Sequence, residues 1–368
     1  MNAATYVIPC GKVSGRVTAP PSKSHRHRVL IADFLAGGTA YATAEAGDSQ
    51  DVCATKRCLA ALKGTDPAPV LDVGESGSTY RFMAPLAAAL GRRPVYKTAG
   101  KLASRPQIVY ENLAAGVHEL PGNVSSQFVT GLLFALPLLA DASEIRFTSP
   151  LLSRGYVDMT LDVVRDYGIR VDEETDGIAP VFKIPGGQTF VSPGEAPTEG
   201  DWSGAAFWLA MNALGSSVDV TGLDATSAQP DRRIVSLLAQ EVGEKDVAQC
   251  PDIFPVLAVV AGARKGVTHF TGTKRLRIKE CDRVAAMAEF LGKFGVATTV
   301  EEDSFTVEGL GRPFAGGVSI RTFGDHRIAM CAAVAATVAT EPITIDDAAC
   351  SAKSYPRFFE IFGALTRG

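Results

Sequence analysis

The feature of this sequence that most constrains its fold is an apolar helical segment with a polar start, which recurs six times. The six segments begin near residues 22, 76, 125, 201, 252 and 325 and read SKSHRHRVLIADFLAG, SGSTYRFMAPLAAAL, SSQFVTGLLFALPLLA, DWSGAAFWLAMNAL, PDIFPVLAVVAGA and GDHRIAMCAAVAAT. Helices that are apolar on every side are buried, and this recurrence indicates a repeated supersecondary unit. Short β-rich stretches such as EIRFTS, SVDVTG and GVTHFTG lie between them. The alternation predicts an α/β protein.

The polar starts of these segments are suited to binding anions. Ser and Asp cap helix N-termini, where unpaired backbone N–H groups carry partial positive charge. Simple capping is a sufficient explanation for any single segment. Six such starts, three of them with basic side chains, favour a shared anion site instead.

Length and composition narrow the class of protein. The chain has 368 residues, which favours two domains, and its net charge of −4 gives no overall positive field to attract nucleic acid or anionic lipid. The seven cysteines include no Cys-x-x-Cys pair, so we expect neither a disulfide framework nor a structural zinc site, and a cytoplasmic location fits. No apolar run approaches the length of a membrane span. The polar stretch from Gly222 to Pro230 is the best candidate for a domain break.

Two segments concentrate positive charge at predicted helix starts. Lys23, Ser24 and Arg28 open the first helix, at the end of the helix dipole that disfavours cations. This placement suggests that a bound anion compensates the charge. The densest charged segment is RLRIKECDR at residues 275–283. It also reads as a solvated helix face with Glu280 and Arg283 paired three residues apart.

Other motifs are weaker. GESGSTYR, at residues 74–81, lacks the Gly-Lys-Ser/Thr ending of a nucleotide P-loop, so we do not infer ATP binding. His25, His27 and His326 do not form a metal-like set, and we predict no metal site. Cys281 has no histidine at an interpretable spacing and is interpreted as a structural thiol.

Ten motifs in order resemble the 5-enolpyruvylshikimate-3-phosphate synthase family and cover residues 12 to 360. The motifs are PSKSHRHR, GESGSTYR, SRP, VSSQF, SRGYVDMTL, EGDWSGAA, CPDIFP, LRIKECDR, GDHRIAM and SAKSYPRFFE. The resemblance implies a two-domain, inside-out α/β barrel, with three βαβαββ units per domain and helix N-termini facing an interdomain cleft. It places an N-terminal domain at residues 13–221 and a C-terminal domain at residues 1–12 and 222–368.

The resemblance also implies an activity: transfer of the enolpyruvyl group of phosphoenolpyruvate to the 5-hydroxyl of shikimate 3-phosphate, with release of phosphate, in aromatic amino acid biosynthesis. Residues matched to the shikimate 3-phosphate contacts are Lys23, Ser24, Arg28, Ser125, Ser126, Gln127, Ser153, Tyr156, Asp252 and Lys279. Those matched to the phosphoenolpyruvate clamp are Lys23, Gly77, Arg105, Gln127, Arg283, Arg327 and Lys353.

The addition–elimination chemistry of this family needs acid/base groups at two places. By the same resemblance, Glu280 serves the methylene carbon of phosphoenolpyruvate and Asp252 serves the attacking hydroxyl, with Lys23 assisting. No cofactor is implied, the partners are the two small-molecule substrates, and a monomer is the default expectation. Gly77 is the small residue that leaves room for the herbicide glyphosate in this family, so we expect sensitivity.

This sequence departs from the family pattern at several positions. Glu75 stands where many members have Asn, and we expect it to pair with Arg81. Arg275 occupies a position often held by Asn, which puts a sugar-side contact there in doubt, and Gly155 replaces a common Pro. Two alternatives remain open: the enolpyruvyl transferase that acts on UDP-N-acetylglucosamine, and a non-catalytic phosphometabolite-binding protein on the same fold.

Overall fold

The structure, a computed structural model, describes residues 5–45, 47–177 and 179–366. Within these residues the chain alternates helices and strands. The helices are α1 (Lys23–Leu35), α2 (Gln50–Lys63), α3 (Gly77–Ala89), α4 (Ser126–Ala135), α5 (Arg154–Asp166), α6 (Trp202–Ala213), α7 (Ile234–Ala239), α8 (Phe254–Ala263), α9 (Arg283–Gly292), α10 (His326–Ala336) and α11 (Phe358–Leu365). The predicted α/β class is confirmed.

The strands are short and form five sheets. They are β1 (Tyr6–Ile8), β2 (Ser14–Thr18), β3 (Val70–Gly74), β4 (Val95–Thr98), β5 (Val117–Leu120), β6 (Ser143–Phe147), β7 (Asp172–Asp176), β8 (Ala179–Ile184), β9 (Ser217–Thr221), β10 (Gly243–Asp246), β11 (Lys265–Thr271), β12 (Ala297–Val300), β13 (Ser304–Leu310), β14 (Ser319–Ile320) and β15 (Ile343–Ile345). The sheets have two to four strands, and among the described residues none closes into a barrel.

The chain divides into two compact units, and one of them takes both ends of the chain. The terminal unit comprises the residues up to Ser22 and those from Glu199 onward, and the central unit is Lys23–Thr198. The division predicted at residues 12 and 222 therefore lies at residues 22 and 199 instead. β2 pairs with β9 inside the terminal unit, and Phe207 and Trp208 of α6 pack on Phe358 of α11, so the chain is already in this unit before it reaches Gly222.

One repeat is complete in each unit. In the central unit, β5-α4-β6-α5-β7-β8 forms a sheet of order β5-β6-β8-β7. In the terminal unit, β10-α8-β11-α9-β12-β13 forms a sheet of order β10-β11-β13-β12. The pairing directions also match: the first pair is parallel and the other two are antiparallel. The predicted βαβαββ unit is confirmed in these two segments.

The six polar starts lie where the sequence predicts them, at helix N-termini, three in each unit: α1, α3 and α4, then α6, α8 and α10. Ser76, Ser125, Asp201 and Asp325 each accept a backbone N–H of the helix that they cap. α3, α4, α8 and α10 each connect two parallel strands. The start of such a crossover helix lies at the carboxyl edge of its sheet, which is where α/β proteins bind ligands.

Each unit has its own apolar interior. α8 and α10 run through the core of the terminal unit, and α10 is buried along its whole length. The central unit has two cores, one around α3 and one around α4. Across the described residues, no helix combines the length and the hydropathy that crossing a membrane requires.

Candidate active site

The first predicted site residue, Lys23, begins α1 and forms an ion pair that sequence reasoning missed. Its Nζ lies 3.0 Å from Oδ2 of Asp51 in the first turn of α2, and the two side chains are only 14% and 7% exposed. Asp51 follows the α2 cap Ser49, so its position in a polar helix start was the available signal. The pair orients the Lys23 ammonium group at the N-termini of two helices.

Arg28 lies one turn into α1 and is almost fully buried, at 2% exposure. Its Nε donates to the Thr160 hydroxyl at 2.8 Å, and one terminal nitrogen donates to the Thr130 hydroxyl at 3.1 Å and to the Tyr156 carbonyl at 2.9 Å. The guanidinium also stacks on the Phe82 ring, 5.3 Å from its centroid. All of these partners are neutral, so they orient the Arg28 guanidinium group without cancelling its positive charge.

The start of α3 lies against two guanidinium groups. A Cβ placed on Gly77 would be 3.1 Å from a terminal nitrogen of both Arg81 and Arg105. Arg81 donates to the amide oxygen of Gln127 at 2.6 Å, and the Gln127 amide nitrogen donates to the Ser78 hydroxyl at 2.7 Å. The predicted clamp residues Gly77, Arg105 and Gln127 are therefore brought together.

Glu75 departs from the family pattern beside this turn. A Cβ on Gly100 would overlap the Glu75 carboxyl group, so that carboxyl lies on the strand-to-loop segment after β4. The Arg81 guanidinium donates to the Gln127 side-chain oxygen and to the Pro106 carbonyl.

The remaining predicted central-unit residues lie at the starts of α4 and α5. Ser125 caps α4 through the Gln127 backbone N–H, and Ser126 is the buried first residue of that helix. Ser153 precedes α5 with φ of 57° and is 3% exposed. A left-handed backbone at a buried non-glycine residue stores strain, which is common where a side chain is held for function. Tyr156 lies half-buried in the first turn of α5 and contacts Arg28 through its carbonyl.

In the terminal unit, Arg283 lies at the centre of a network of carboxylates. It begins α9, and its side chain is 1% exposed. Its nitrogens donate to Asp252 at 2.8 Å, to Glu280 at 2.8 Å and to Asp325 at 2.8 Å. Glu280 and Arg283 do pair, but the alternative interpretation of this segment as a solvated helix face is wrong, because the two side chains are only 14% and 1% exposed. Both predicted acid/base carboxylates therefore bond to one guanidinium group.

Asp252 lies in a short 3-10 helix, Pro251–Ile253, which leads into α8. Its Oδ1 accepts from Lys279 at 3.3 Å as well as from Arg283, and its Oδ2 lies 3.1 Å from a terminal nitrogen of Arg327. Three cations thus surround this carboxylate, whose side chain remains 20% exposed. This part of the Asp252 side chain is accessible to a hydroxyl group of a ligand.

Asp325 holds the two arginines in place. It is fully buried, caps α10 by accepting the Arg327 backbone N–H at 2.9 Å, and receives the Arg283 Nε. The Arg327 guanidinium lies 3.1 Å from Asp252. As the cap of α10, the Asp325 carboxyl also reaches Arg283 at the start of α9.

Two further residues singled out by the sequence lie in other segments of the terminal unit. Lys353 is 6% exposed and ends a 3-10 helix, Ala349–Lys353, that packs on α10. Arg275 donates to the Ala248 carbonyl at 3.2 Å. Cys281 is buried, and burial raises the pKa of its thiol, which is consistent with a structural role. No group of residues among those described has the composition of a metal site.

The electrostatics of the network favour ionised side chains at its centre. Burial acts to lower the pKa of Arg283, but Asp325, Glu280 and Asp252 together raise it well above its ordinary value. Burial lowers the pKa of Lys279, and Asp252 opposes that shift. A quarter of the Lys279 side chain is exposed, so solvent moderates the effect of burial.

A fourth carboxylate, Asp231, lies behind the network and was missed by the sequence analysis. It is 1% exposed and accepts a hydrogen bond from the Ser203 hydroxyl at the start of α6. Burial and then the charge of Asp252 raise its pKa to about 6, against the opposing effect of Arg327. Its only sequence signal was an acidic residue directly after Pro230, where the candidate domain break ends.

Comparison with known proteins gives a consistent result. The sequence profile described as EPSP synthase (3-phosphoshikimate 1-carboxyvinyltransferase) matches residues 97–245 and 239–362. The chain is 38% identical to the 3-phosphoshikimate 1-carboxyvinyltransferase of Clostridium kluyveri, over 96% of this chain and 95% of that one. It is 35% identical to the protein of the same name from Clostridium botulinum, over 98% and 97%.

Solved structures agree on the fold. An EPSP synthase from Acinetobacter baumannii superposes with a TM-score of 0.74 at 24% identity, covering 98% of both chains. The enolpyruvyl transferase NikO from Streptomyces tendae superposes with a TM-score of 0.65 at 14% identity, covering 98% of this chain and 97% of that one. With the profile and the full-length relatives, these findings establish that this chain belongs to the EPSP synthase (3-phosphoshikimate 1-carboxyvinyltransferase) family.

Proposed function

We propose that this chain transfers the enolpyruvyl group of phosphoenolpyruvate to the 5-hydroxyl of shikimate 3-phosphate and releases phosphate. The observation that carries the proposal is the convergence of Asp252 and Glu280 on Arg283. The reaction moves one proton off a hydroxyl and another onto carbon while anionic groups are held nearby. Two carboxylates that share a guanidinium group suit that combination.

Asp252 acts at the attacking hydroxyl in this proposal. Its three cationic neighbours keep it ionised in the substrate-free protein, so it accepts a hydrogen bond from the hydroxyl and orients the oxygen. Phosphate and carboxylate groups of phosphoenolpyruvate compete for the donors of Arg283 and Arg327. As those donors turn to substrate, the basicity of Asp252 rises and it takes the hydroxyl proton.

Glu280 acts at the methylene carbon. Glu280 takes up a proton as Arg283 turns to the substrate anions. The hydroxyl oxygen then bonds to C2 of the enolpyruvyl group while C3 takes that proton from the Glu280 carboxyl, which gives a tetrahedral species with a methyl group. The bond from C2 to the phosphate oxygen breaks, phosphate leaves with the proton that Asp252 took from the hydroxyl, C3 returns a proton to Glu280, and the vinyl group re-forms. An acid/base group of this kind contributes a factor of roughly 10² to 10⁴ to the rate.

The central unit supplies further positive charge for the two anions. Arg28 presents a rigid fork to a carboxylate, and the serines at the starts of α4 and α5 suit a phosphate together with the helix N-termini. Gly77 leaves its backbone accessible beside Arg81 and Arg105, which supports its assignment to phosphoenolpyruvate. We expect the chain to act as a cytoplasmic monomer without metal or cofactor.

A phosphate-release assay with both substrates tests the proposal. We expect release with shikimate 3-phosphate and phosphoenolpyruvate together, and none when either is omitted. Replacing shikimate 3-phosphate by UDP-N-acetylglucosamine serves as the matched comparison. Release with the nucleotide sugar but not with shikimate 3-phosphate would reassign the substrate, and release with neither would indicate a binding protein.

A further inference from the structure

The central unit contains a buried chain of polar side chains that the proposed reaction does not use. His27, Thr55 and Thr79 are fully buried and Ser76 is 1% exposed. His27 Nδ1 lies 2.8 Å from the Thr55 hydroxyl, which lies 2.8 Å from the Thr79 hydroxyl, which in turn lies 2.8 Å from the Ser76 hydroxyl. The chain therefore joins α1, α2 and the cap of α3.

This buried chain lies one helical turn beneath the Lys23–Asp51 ion pair. His27 follows Lys23 by four residues in α1, and Thr55 follows Asp51 by four residues in α2. Residues four apart lie on the same face of a helix, one above the other. The two helices thus contact each other in two layers, a charged layer at their N-termini and a neutral layer one turn below.

Thr79 connects the neutral layer to the turn that holds Gly77. Its backbone N–H and its hydroxyl both lie within hydrogen-bond distance of the Ser76 hydroxyl, at 3.2 and 2.8 Å. The Thr79 hydroxyl is also 3.2 Å from the Asp51 carbonyl. One threonine thereby links the residue before Gly77 to the backbone of the residue that pairs with Lys23.

The environment of His27 sets the direction of the hydrogen bonds. Burial lowers the pKa of His27 to about 3, so the ring is neutral at physiological pH. Its Nε2 is buried and has no hydrogen-bond partner among the described residues. A buried N–H without an acceptor costs more than an unused lone pair, so the proton belongs on Nδ1. His27 then donates to Thr55, and Thr55 donates to Thr79.

We propose that Thr55 is a positioning residue that fixes the Lys23–Asp51 pair and the Ser76–Gly77 turn relative to each other, and so determines the affinity for phosphoenolpyruvate. This inference rests on the proposed function and adds Thr55, which lies outside the family motifs. The neutral layer positions the charged layer without cancelling its charge. An anion arriving at Lys23 and Gly77 therefore meets donors that are already oriented.

The test is Thr55→Val, which keeps the shape of the side chain and removes the hydroxyl from the middle of the chain. We expect the KM for phosphoenolpyruvate to rise by about tenfold, because a buried donor and a buried acceptor lose their partner. The KM for shikimate 3-phosphate should rise by less than about threefold, because Lys23 is assigned to both substrates but the Gly77 turn only to phosphoenolpyruvate. Thr55→Ser restores the hydroxyl and should restore the KM for phosphoenolpyruvate.

Thr160→Val is the matched control. It removes a buried threonine hydroxyl from the same unit, but this one holds Arg28 at 2.8 Å. We expect it to raise the KM for shikimate 3-phosphate and to leave that for phosphoenolpyruvate nearly unchanged. A general loss of stability would change the KM values for both substrates alike. If Thr55→Val affects mainly the KM for phosphoenolpyruvate and Thr160→Val mainly the KM for shikimate 3-phosphate, the two threonines act by positioning.

Three results would overturn the positioning role: an unchanged KM for phosphoenolpyruvate in Thr55→Val, equal rises of both constants, or failure of Thr55→Ser to restore the wild-type value. If Thr55→Val does not fold, Thr55→Cys is the substitute variant, because a thiol has a similar volume but is a weaker hydrogen-bond donor. An unchanged KM for phosphoenolpyruvate in Thr55→Cys would also overturn the positioning role. Wild-type protein that releases no phosphate from the two substrates would overturn the proposed function and this inference together. Wild-type turnover with unaffected variants would overturn only the inference.

Discussion

Two arginines at helix starts in the central unit and two in the terminal unit are held by different kinds of partner. In the central unit, Arg28 is bonded to threonine hydroxyls and a carbonyl, and Arg81 to an amide oxygen and a carbonyl. In the terminal unit, Arg283 is bonded to three carboxylates and Arg327 pairs with one. Both arrangements are rigid and largely buried. These bonds go to neutral oxygens at Arg28 and Arg81 and to carboxylates at Arg283 and Arg327.

This difference in arginine partners indicates which part of the proposed reaction each unit serves. Neutral oxygens orient a guanidinium group and leave its positive charge to attract a substrate anion. Carboxylates cancel that charge, but they bring groups that exchange protons next to the cations that tune their pKa. The central unit is thus suited to binding, and the terminal unit is suited to proton transfer. The following predictions test that division, from the largest expected effect to the smallest.

The largest effect is expected from Glu280→Gln. This change removes the proposed proton donor to C3 and should lower kcat by a factor of roughly 10² to 10⁴. The affinity for shikimate 3-phosphate should stay within about threefold of wild type, because the residues assigned to that substrate lie mainly in the central unit. Steady-state phosphate release and calorimetric titration measure the two quantities. Glu289→Gln, on the α9 helix that follows Glu280, is the control, since Glu289 pairs with exposed Arg321. Near-normal turnover in Glu280→Gln would show that another group protonates C3.

Arg28→Lys should affect binding instead. Lysine keeps the charge but loses the planar fork that Thr130, Thr160 and Tyr156 hold in place. We expect the KM for shikimate 3-phosphate to rise by about 10- to 100-fold and kcat to fall much less. Arg26→Lys in the same helix is the control, because Arg26 pairs with the partly exposed Glu45. A loss confined to kcat would contradict a binding role for Arg28.

Gly77→Ala should have a smaller and more selective effect. The new Cβ would lie 3.1 Å from the ends of Arg81 and Arg105, and these side chains can shift by a few tenths of an ångström. We expect a rise of about three- to tenfold in the KM for phosphoenolpyruvate, weaker inhibition by glyphosate, and no change for shikimate 3-phosphate. Gly292→Ala, with open space around its Cβ, is the control. Parallel changes for both substrates would place Gly77 outside a phosphoenolpyruvate site.

The smallest effect concerns stability and comes from Asp231→Asn. The pKa of Asp231 rises from its ordinary value of 3.8 to about 6 in the folded protein. Between these two pH values the folded state therefore binds more protons than the unfolded state, so the free energy of unfolding falls as the pH rises from about 4 to about 6. Asparagine accepts the same Ser203 hydrogen bond without a charge. We expect the variant to gain about 1–3 kcal/mol over wild type at about pH 8 and much less at about pH 4, as measured by urea unfolding. A variant less stable than wild type at the higher pH would show that the Asp231 charge is stabilising.

The sequence was sufficient for features that depend on nearby residues. The six helix starts, the caps Ser76, Ser125 and Asp325, and the Glu280–Arg283 pair all follow from spacings of a few residues. The order of the motifs then identified the family. These features are local, so periodicity and capping chemistry determine them.

What the sequence could not give are contacts between distant segments. Asp51 reaches Lys23 across 28 positions, and Asp325 reaches Arg283 across 42. Each depends on how two helices pack, which hydrophobic patterning does not specify. β2 and β9 likewise pair across about two hundred residues, and local patterns do not show that the compact units divide at residues 22 and 199.

The most direct test of the account is to run the reaction in ²H₂O and examine the vinyl carbon of the product by mass spectrometry and NMR. If Glu280 protonates C3 and later removes a proton from the resulting methyl group, wild-type protein will place deuterium on that carbon. Glu280→Gln will release product slowly and will fail to exchange deuterium into phosphoenolpyruvate. Product from wild-type protein without deuterium at C3 would contradict the account, because the enolpyruvyl group would then have been transferred without passing through a protonated intermediate.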